Sequence, residues 1–380
     1  MIPFWKIRRE LLRLVYGPFH WSAEMVRKLY VRRYYDHVLA RQIKRRAGAL
    51  TIGSEIGIYL IFPSHGVLPS HLRVLREMKS AGISPYVVSN IPLSEADAAK
   101  IAPLAVGTLE RPNVGYDFGG YRDGILNIKE QLPDLNRLWL LNDSTWMIPQ
   151  DTSWFDDARD LDVDFAAATS NFAMPRFDPD RFREIKWSFS FTHRNFHYAS
   201  YALGIGKPIL QDPGFFRYWQ TMQIRNHKSL VVRQGEIGLS QWILAQGYSH
   251  GATFEVDKLD AELDVLDSKE INTIACELVI PESPRLEAQR AIALQSDPLT
   301  AAGRADRIAL ILTAVSRQAS GYVLPGYSLR RCGFQFLKKS PLTLSPQSAE
   351  IMRMLINRIE GEVGVEICDE AQVIVNSQAR

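Results

Sequence analysis

The chain has 380 residues, 46% of them apolar and 23% charged, with a net charge of +3. That suits one large α/β domain with appendages, or two domains, and excludes a disordered or fibrous class. No run reaches the ~18 apolar residues a membrane span needs, and Cys276, Cys332 and Cys368 lie too far apart for a metal-ligand spacing or a disulfide framework.

Charge is uneven. Residues 1–50 hold 12 Lys/Arg against 3 Asp/Glu, so the rest of the chain is net acidic. Residues 1–48 read as two helical pieces broken at Gly17-Pro18. Trp5, Tyr16, Trp21, Tyr30, Tyr34 and Tyr35 are interleaved with Arg and Lys there. Such a leader suits an anionic lipid headgroup surface, or equally a helical lid on the body, since basic and apolar positions do not segregate on a wheel. Arg8, Arg9, Glu10 and Arg13 interrupt any signal-peptide core, so a cytoplasmic location is expected, peripheral on the inner membrane if the leader binds lipid. No nucleic-acid-binding signature accompanies the charge.

From residue 56 the pattern alternates strand and helix. Ile56 to Phe62 is an apolar strand, and Pro69 to Lys79 is a helix that Gly82 stops. Pro85–Ser89 is a strand, Ser94 caps a short helix, and Val106–Leu109 is a brief strand. A Gly-rich turn at Asn113 opens a helix from about Asp117 to Gln131, followed by the strand Arg137–Leu141. This order predicts a parallel sheet with helices on both faces. Asp164–Ser170 is another strand, residues 171–197 form an aromatic-rich loop, and His197–Gly206 is strand-like. Helices begin at Asp212 and Glu236. Residues 255–300 carry no clear pattern, Ile308–Ala319 is helical, and a last helix at Ala349–Ile359 precedes a polar tail.

Three groups of residues carry candidate chemistry. Asn113, Gly115, Tyr116, Asp117, Gly119 and Gly120 form a turn at a helix N-terminus. Glycines there admit close approach of a ligand to open N–H groups, and Asp117 can hydrogen-bond a base or ribose; an N-capped structural turn has the same composition. It is neither a P-loop nor a dinucleotide turn. Asn142-Asp143-Ser144 ends an apolar strand, where Asp143 can meet a pyrophosphate directly or through Mg²⁺ or Mn²⁺; the same triplet is ordinary turn chemistry. Glu236 starts a helix and is a candidate general base toward an acceptor hydroxyl, or simply a dipole-complementing Glu. His250 is a candidate late metal ligand, and His65, His71, His193 and His197 form no local ligand pair.

In combination, Asn113-x-Gly-Tyr-Asp-Phe-Gly followed by Leu-Leu-Asn142-Asp-Ser resembles the rhamnan synthesis protein F family of bacterial polysaccharide glycosyltransferases. His197-x-x-Ser200-Tyr201, Phe215-x-x-Tyr-Trp219, Glu236-x-Gly-Leu-Ser240, Gly247-Tyr248 and Gly333-Phe-Gln-Phe-Leu-Lys338 extend the resemblance, in order, over roughly residues 56–340. It implies a GT-A-like, Rossmann-type mixed α/β sheet flanked by helices. The expected organisation is a helical leader (1–50), a core (51–260) and a mostly helical C-terminal region packed on it (261–380). The implied reaction moves rhamnose or a similar deoxysugar from a nucleotide-sugar to a growing, often lipid-linked glycan of the cell surface, with inversion. Asn113–Gly120, Asn142 and Ser144 would hold the donor, Asp143 its pyrophosphate and Glu236 the acceptor proton. His197, Ser200, Tyr201 and Trp187 would contact sugar. The chain departs from the wider class at the strand end, where Asp143 is the only carboxylate of its triplet. The alternative is a non-catalytic glycan-assembly or membrane-surface scaffold that keeps the fold.

Overall fold

The computed structural model describes residues 34–171, 176–280 and 283–378. Most of the leader, including Trp5, Tyr16, Trp21 and Tyr30, lies outside them, as do Phe172 and Pro175 of the aromatic loop.

The strands are β1 (Lys44–Ala47), β2 (Glu55–Ile61), β3 (Ser84–Ser89), β4 (Gly107–Glu110), β5 (Arg137–Asn142), β6 (Thr145–Met147), β7 (Phe165–Asn171), β8 (His197–Tyr198), β9 (Ala202–Gly206), β10 (His250–Phe254) and β11 (Phe336–Lys338). Nine of them form one sheet in the order β1-β4-β3-β2-β5-β9-β7-β10, with β8 on β7; β6 and β11 form a separate antiparallel ribbon. The run β4-β3-β2-β5 is parallel, as is β7-β10. The strand–helix run up to β5 is thus parallel, as its order predicts, and the sheet as a whole is mixed, as the family resemblance implies. His197–Gly206 is not one strand but two, and β9 returns antiparallel between β5 and β7. The helix Trp154–Asp160 carries the chain from β5 over to β7 and leaves a gap that the short return strand fills.

At its described end the leader departs from its helical reading over four residues. Lys44–Ala47 is strand β1, antiparallel on β4, where it covers what would be an open sheet edge. Arg46 fixes it there, with Nε 3.0 Å from Glu110 Oε1 and Nη1 2.8 Å from Glu95 Oε2.

Alternation along β2 divides the interior. Ile58 and Leu60 face a core with Phe118, Tyr121 and Ile125 of the helix Tyr116–Asn127 and with Phe215, Trp219 and Leu239. Tyr59 and Ile61 face the opposite core, with Val74, Leu75 and Met78 of the helix Pro69–Ser80, Trp139, Trp154 and the helices Ser268–Cys276 and Ala301–Arg317. The patternless stretch 255–300 is in fact helical, in Leu259–Asp264, Ser268–Cys276 (capped by Asp267) and Pro284–Gln295.

The helix Tyr116–Asn127 lies so close to the sheet that side chains are excluded. A Cβ on Gly120 would stand 2.4 Å from Leu60 Cδ1, and one on Gly119 would stand 2.4 Å from the Val114 carbonyl oxygen. These two glycines are packing residues turned to the protein, not an open cradle. Because the Val114 carbonyl is backbone and cannot rotate away, Gly119→Ala is expected to destabilise by about 1–3 kcal/mol, read as a lower urea midpoint.

The expected polar tail is a helix, Gly361–Gln378, with Ile367 and Ala371 buried and Val363 and Ile374 packed beside them. Its carboxylates hide that spacing in sequence. One of them, Glu370, is 3% exposed and accepts from Ser70 N (2.8 Å), Ser70 Oγ (2.7 Å) and Trp146 Nε1 (2.8 Å). The last helix is thereby fastened to the first turn of Pro69–Ser80. Among the described residues, no helix is long and apolar enough to cross a membrane.

Candidate active site

The carboxyl ends of β5 and β7, the β8–β9 turn and the start of the helix Glu236–Gln246 converge, as the edge of an open α/β sheet predicts for chemistry. There a cavity of about 770 Å³ opens, lined by His197, Ser200, Tyr201 and Glu236, by Asn171 at the end of β7, and by Lys338 at the end of β11. That volume suits a sugar with part of its substituent.

Glu236 is held by one oxygen. Ser200 Oγ donates to Glu236 Oε1 at 2.6 Å, and Oε2 stands 3.8 Å from His197 Nε2. His197 is oriented by its other contacts. Its Nδ1–H donates to the Asn195 carbonyl at 2.8 Å, which leaves Nε2 to accept from Asn171 Nδ2 at 3.1 Å. Glu236 lines the cavity, and no described residue donates a hydrogen bond to its Oε2.

Behind this wall lies a second polar cluster. Asn142 Nδ2 donates to Asp117 Oδ2 at 3.1 Å, and Asn142 Oδ1 accepts from Ser144 N (3.1 Å) and Ser144 Oγ (2.6 Å). Lys338 Nζ donates to Ser144 Oγ at 3.0 Å and stands 4.0 Å above the Tyr201 ring. Lys338 thus joins the two clusters. Sequence reasoning did not assign it a role, although it closes one of the motifs quoted above. Burial lowers its ammonium to about 8, against the pull of Asp117 and Glu236.

Burial raises the Asp117 carboxyl to about 6; Lys338 opposes the rise, while Glu236 and Asp143 add to it. Between the ordinary carboxylate range and about pH 6, folded Asp117 keeps a proton that the unfolded chain has lost, so stability falls as pH rises through that window. Asp117→Asn is expected to flatten that fall. Urea midpoints at intervals across the window check it.

The turn before Asp117 is anchored from below. Arg111 is buried and donates from Nε to Asp123 Oδ2 (2.6 Å), from Nη1 to Asn90 Oδ1 (2.6 Å), and from Nη2 to Tyr35 Oη (2.7 Å) and the Val114 carbonyl (2.7 Å). The Tyr35 hydroxyl donates to Asp123, so the described end of the leader enters this network. Gly115 has φ +88°, and its N–H is taken by Asn226 Oδ1 at 2.9 Å. Tyr116 follows with φ +51°, a backbone conformation uncommon for a bulky residue and typical of functional turns. Asn113 and Tyr116 are exposed, and neither they nor Gly115 line the cavity.

Asp143 does not line the cavity that Glu236 lines. Its Oδ2 accepts from Phe62 N at 2.6 Å and lies 3.5 Å from His71 Nε2. Burial pushes its carboxyl up, but the hydrogen bond and charge of His71, Lys339 and the Phe62 N–H together hold it below the usual range. The donor set does not fit a protein-held divalent cation: no three His, Cys, Asp or Glu side chains among the described residues are grouped to hold one.

Two expected site residues fall elsewhere. His250 opens β10 in register with Phe165, the first residue of β7, so it sits at the amino edge of the sheet, opposite Asp143. Its Nδ1 contacts Tyr198 Oη at 2.6 Å. Trp187 packs on the core, with Nε1 donating to the carbonyls of Val256 (3.1 Å) and Asp257 (3.2 Å), and does not line the cavity.

A family model described as rhamnan synthesis protein F matches residues 86–322. The uncharacterized protein y4gN of Sinorhizobium fredii (strain NBRC 101917 / NGR234) is 29% identical over 271 residues, which is 70% of this chain. The chain spans 64% of that relative's length. Among solved structures, the mannosyltransferase Ktr4p from S. cerevisiae is similar over 45% of this chain and 60% of its own, at 10% identity and a TM-score of 0.25. The mannosyltransferase PcManGT from Pyrobaculum calidifontis, in complex with GDP-Man and Mn²⁺, is similar over 97% and 95% respectively, at 10% identity and a TM-score of 0.30.

Proposed function

We propose, from the premise that this chain belongs to the rhamnan synthesis protein F family, that it is a glycosyltransferase of polysaccharide synthesis. In this reading the cavity at Glu236 is the place of transfer. The observation that carries it is the Ser200–Glu236 pair, which fixes Oε1 and leaves Oε2 without a donor, on a residue that lines a cavity of sugar-accommodating size.

In the proposed reaction Glu236 Oε2 takes the proton of an acceptor hydroxyl, whose oxygen attacks the anomeric carbon of a nucleotide-sugar. The new carbon–oxygen bond forms as the bond to the nucleotide diphosphate breaks on the opposite face, giving inversion. Asn171 and Asn195 hold His197 beside the carboxylate, and Lys338 supplies positive charge between Ser144 and the cavity. Asp143 is placed to order the β2 and β5 strand ends through Phe62 and His71. A deoxysugar such as rhamnose is the proposed cargo and a lipid-linked glycan the proposed acceptor. The basic leader would then rest on the cytoplasmic face of the inner membrane, and 51–260 would be the transfer core with 261–380 packed on it.

Release of nucleotide from a panel of nucleotide-sugars, with and without glycan acceptor and with and without Mn²⁺, tests this. Acceptor-stimulated release from one donor is expected. Binding of a nucleotide-sugar with no turnover under any of these conditions would instead support a non-catalytic assembly partner, a reading that the single, committed Asp143 carboxylate favours.

A further inference from the structure

A second chamber of about 500 Å³ adjoins the first, and Arg176, Arg317, Gln318 and Tyr322 line both. Its charges are of one sign. Arg176, Arg317 and Lys228 line it, and no Asp or Glu among the described residues does. Arg176 has no hydrogen bond or ion pair with any described residue. Arg317 gives Nη1 to the Phe177 carbonyl at 2.7 Å. Burial, and then the like charges of Arg176 and Arg285, hold its guanidinium below the usual range. Lys228 in turn disfavours the charge on Lys338 of the first cavity. Asp178, outside the lining, partly offsets the charge on Arg317, but three cations lining one chamber with no carboxylate among them favour an anion there. The lining also has an apolar part, formed by Val279, Ile280, Leu286 and Leu344.

We propose that the second chamber binds a diphosphate ester, with its phosphates between Arg176, Arg317 and Lys228 and its substituent against the apolar part of the lining. Guanidinium groups match phosphate oxygens in paired hydrogen bonds, and an ammonium adds a mobile point charge. The shared lining puts those phosphates at the boundary with the Glu236 cavity. The role this gives the ligand rests on the glycosyl-transfer reading; its binding does not.

Titration calorimetry of the full chain with inorganic pyrophosphate tests the site. Binding is expected in the wild type, weakened about tenfold in Arg176→Ala and further in Arg176→Ala with Lys228→Ala, the loss of charged hydrogen bonds setting the scale. Neither side chain has a hydrogen-bond partner in the described protein, so both variants should unfold at the wild-type temperature. Competition then identifies the source. Displacement of pyrophosphate by UDP or dTDP but not geranyl diphosphate assigns a nucleotide's diphosphate, and the reverse assigns a lipid's. Pyrophosphate that fails to bind, or that binds the double variant as tightly as wild type, overturns the proposal. Pyrophosphate binding that persists in Glu236→Gln, with transfer also intact, would sink the base assignment and leave the chamber standing.

Discussion

Glu236→Gln is expected to lower the transfer rate by about two to four orders of magnitude while the unfolding midpoint stays within error of wild type. The amide keeps the shape of the carboxylate, and its oxygen still accepts from Ser200 Oγ, now at 2.6 Å from Glu236 Oε1. What is lost is the ability of the second oxygen to take a proton. The loss should appear in kcat and in kcat/KM alike, because the missing interaction belongs to the transition state. A rise in KM with kcat unchanged would make Glu236 a binding residue, and wild-type kinetics would remove it from the site.

Arg111→Met is expected to destabilise the protein by about 3–5 kcal/mol, the range for removing one partner of a buried ion pair. The guanidinium is fully buried and satisfies Asp123, Asn90, Tyr35 and the Val114 carbonyl at once. Methionine fills much of the volume but leaves the Asp123 carboxylate with the Tyr35 hydroxyl and with Arg122, whose Nη1 stands 3.5 Å from Asp123 Oδ1. Tyr35→Phe removes only one member and should cost about 1 kcal/mol. Urea unfolding of the two variants measures both values. Equal, small losses would show that the network adds little to stability.

Much of the sheet was legible in sequence because β2, β3 and β5 are apolar runs bounded by Pro, Gly or polar residues, and buried parallel strands have that composition. β9 was not, since Ala202–Gly206 carries nothing to separate a return strand from a continuation of β8. The glycines at 119 and 120 were found but their direction was not: a turn that admits a ligand and a helix pressed on a sheet ask for the same residue. Glu236 and Ser200 were both singled out, yet their pairing is a tertiary fact. Lys338 lies 194 positions from Ser144, too far for any local pattern to connect them. His250 misled in the other sense, close in sequence to the Glu236 helix but fixed by β10 to the far edge. Regular elements follow from neighbours along the chain, whereas this site is assembled from segments that only the sheet brings together.

The fastening of Glu370 to Ser70 has a consequence for biosynthesis. The two residues are 300 positions apart. At about 5–20 residues per second, a ribosome completes that interval in roughly 15–60 s. Through that time the helix Pro69–Ser80 has been made while its carboxylate partner has not, and Trp146 lacks the acceptor for its indole N–H. Closure of this loop is therefore a late event, and ribosome-stalled chains ending before residue 360 should remain sensitive to protease near Ser70 after the β2–β5 strands have paired.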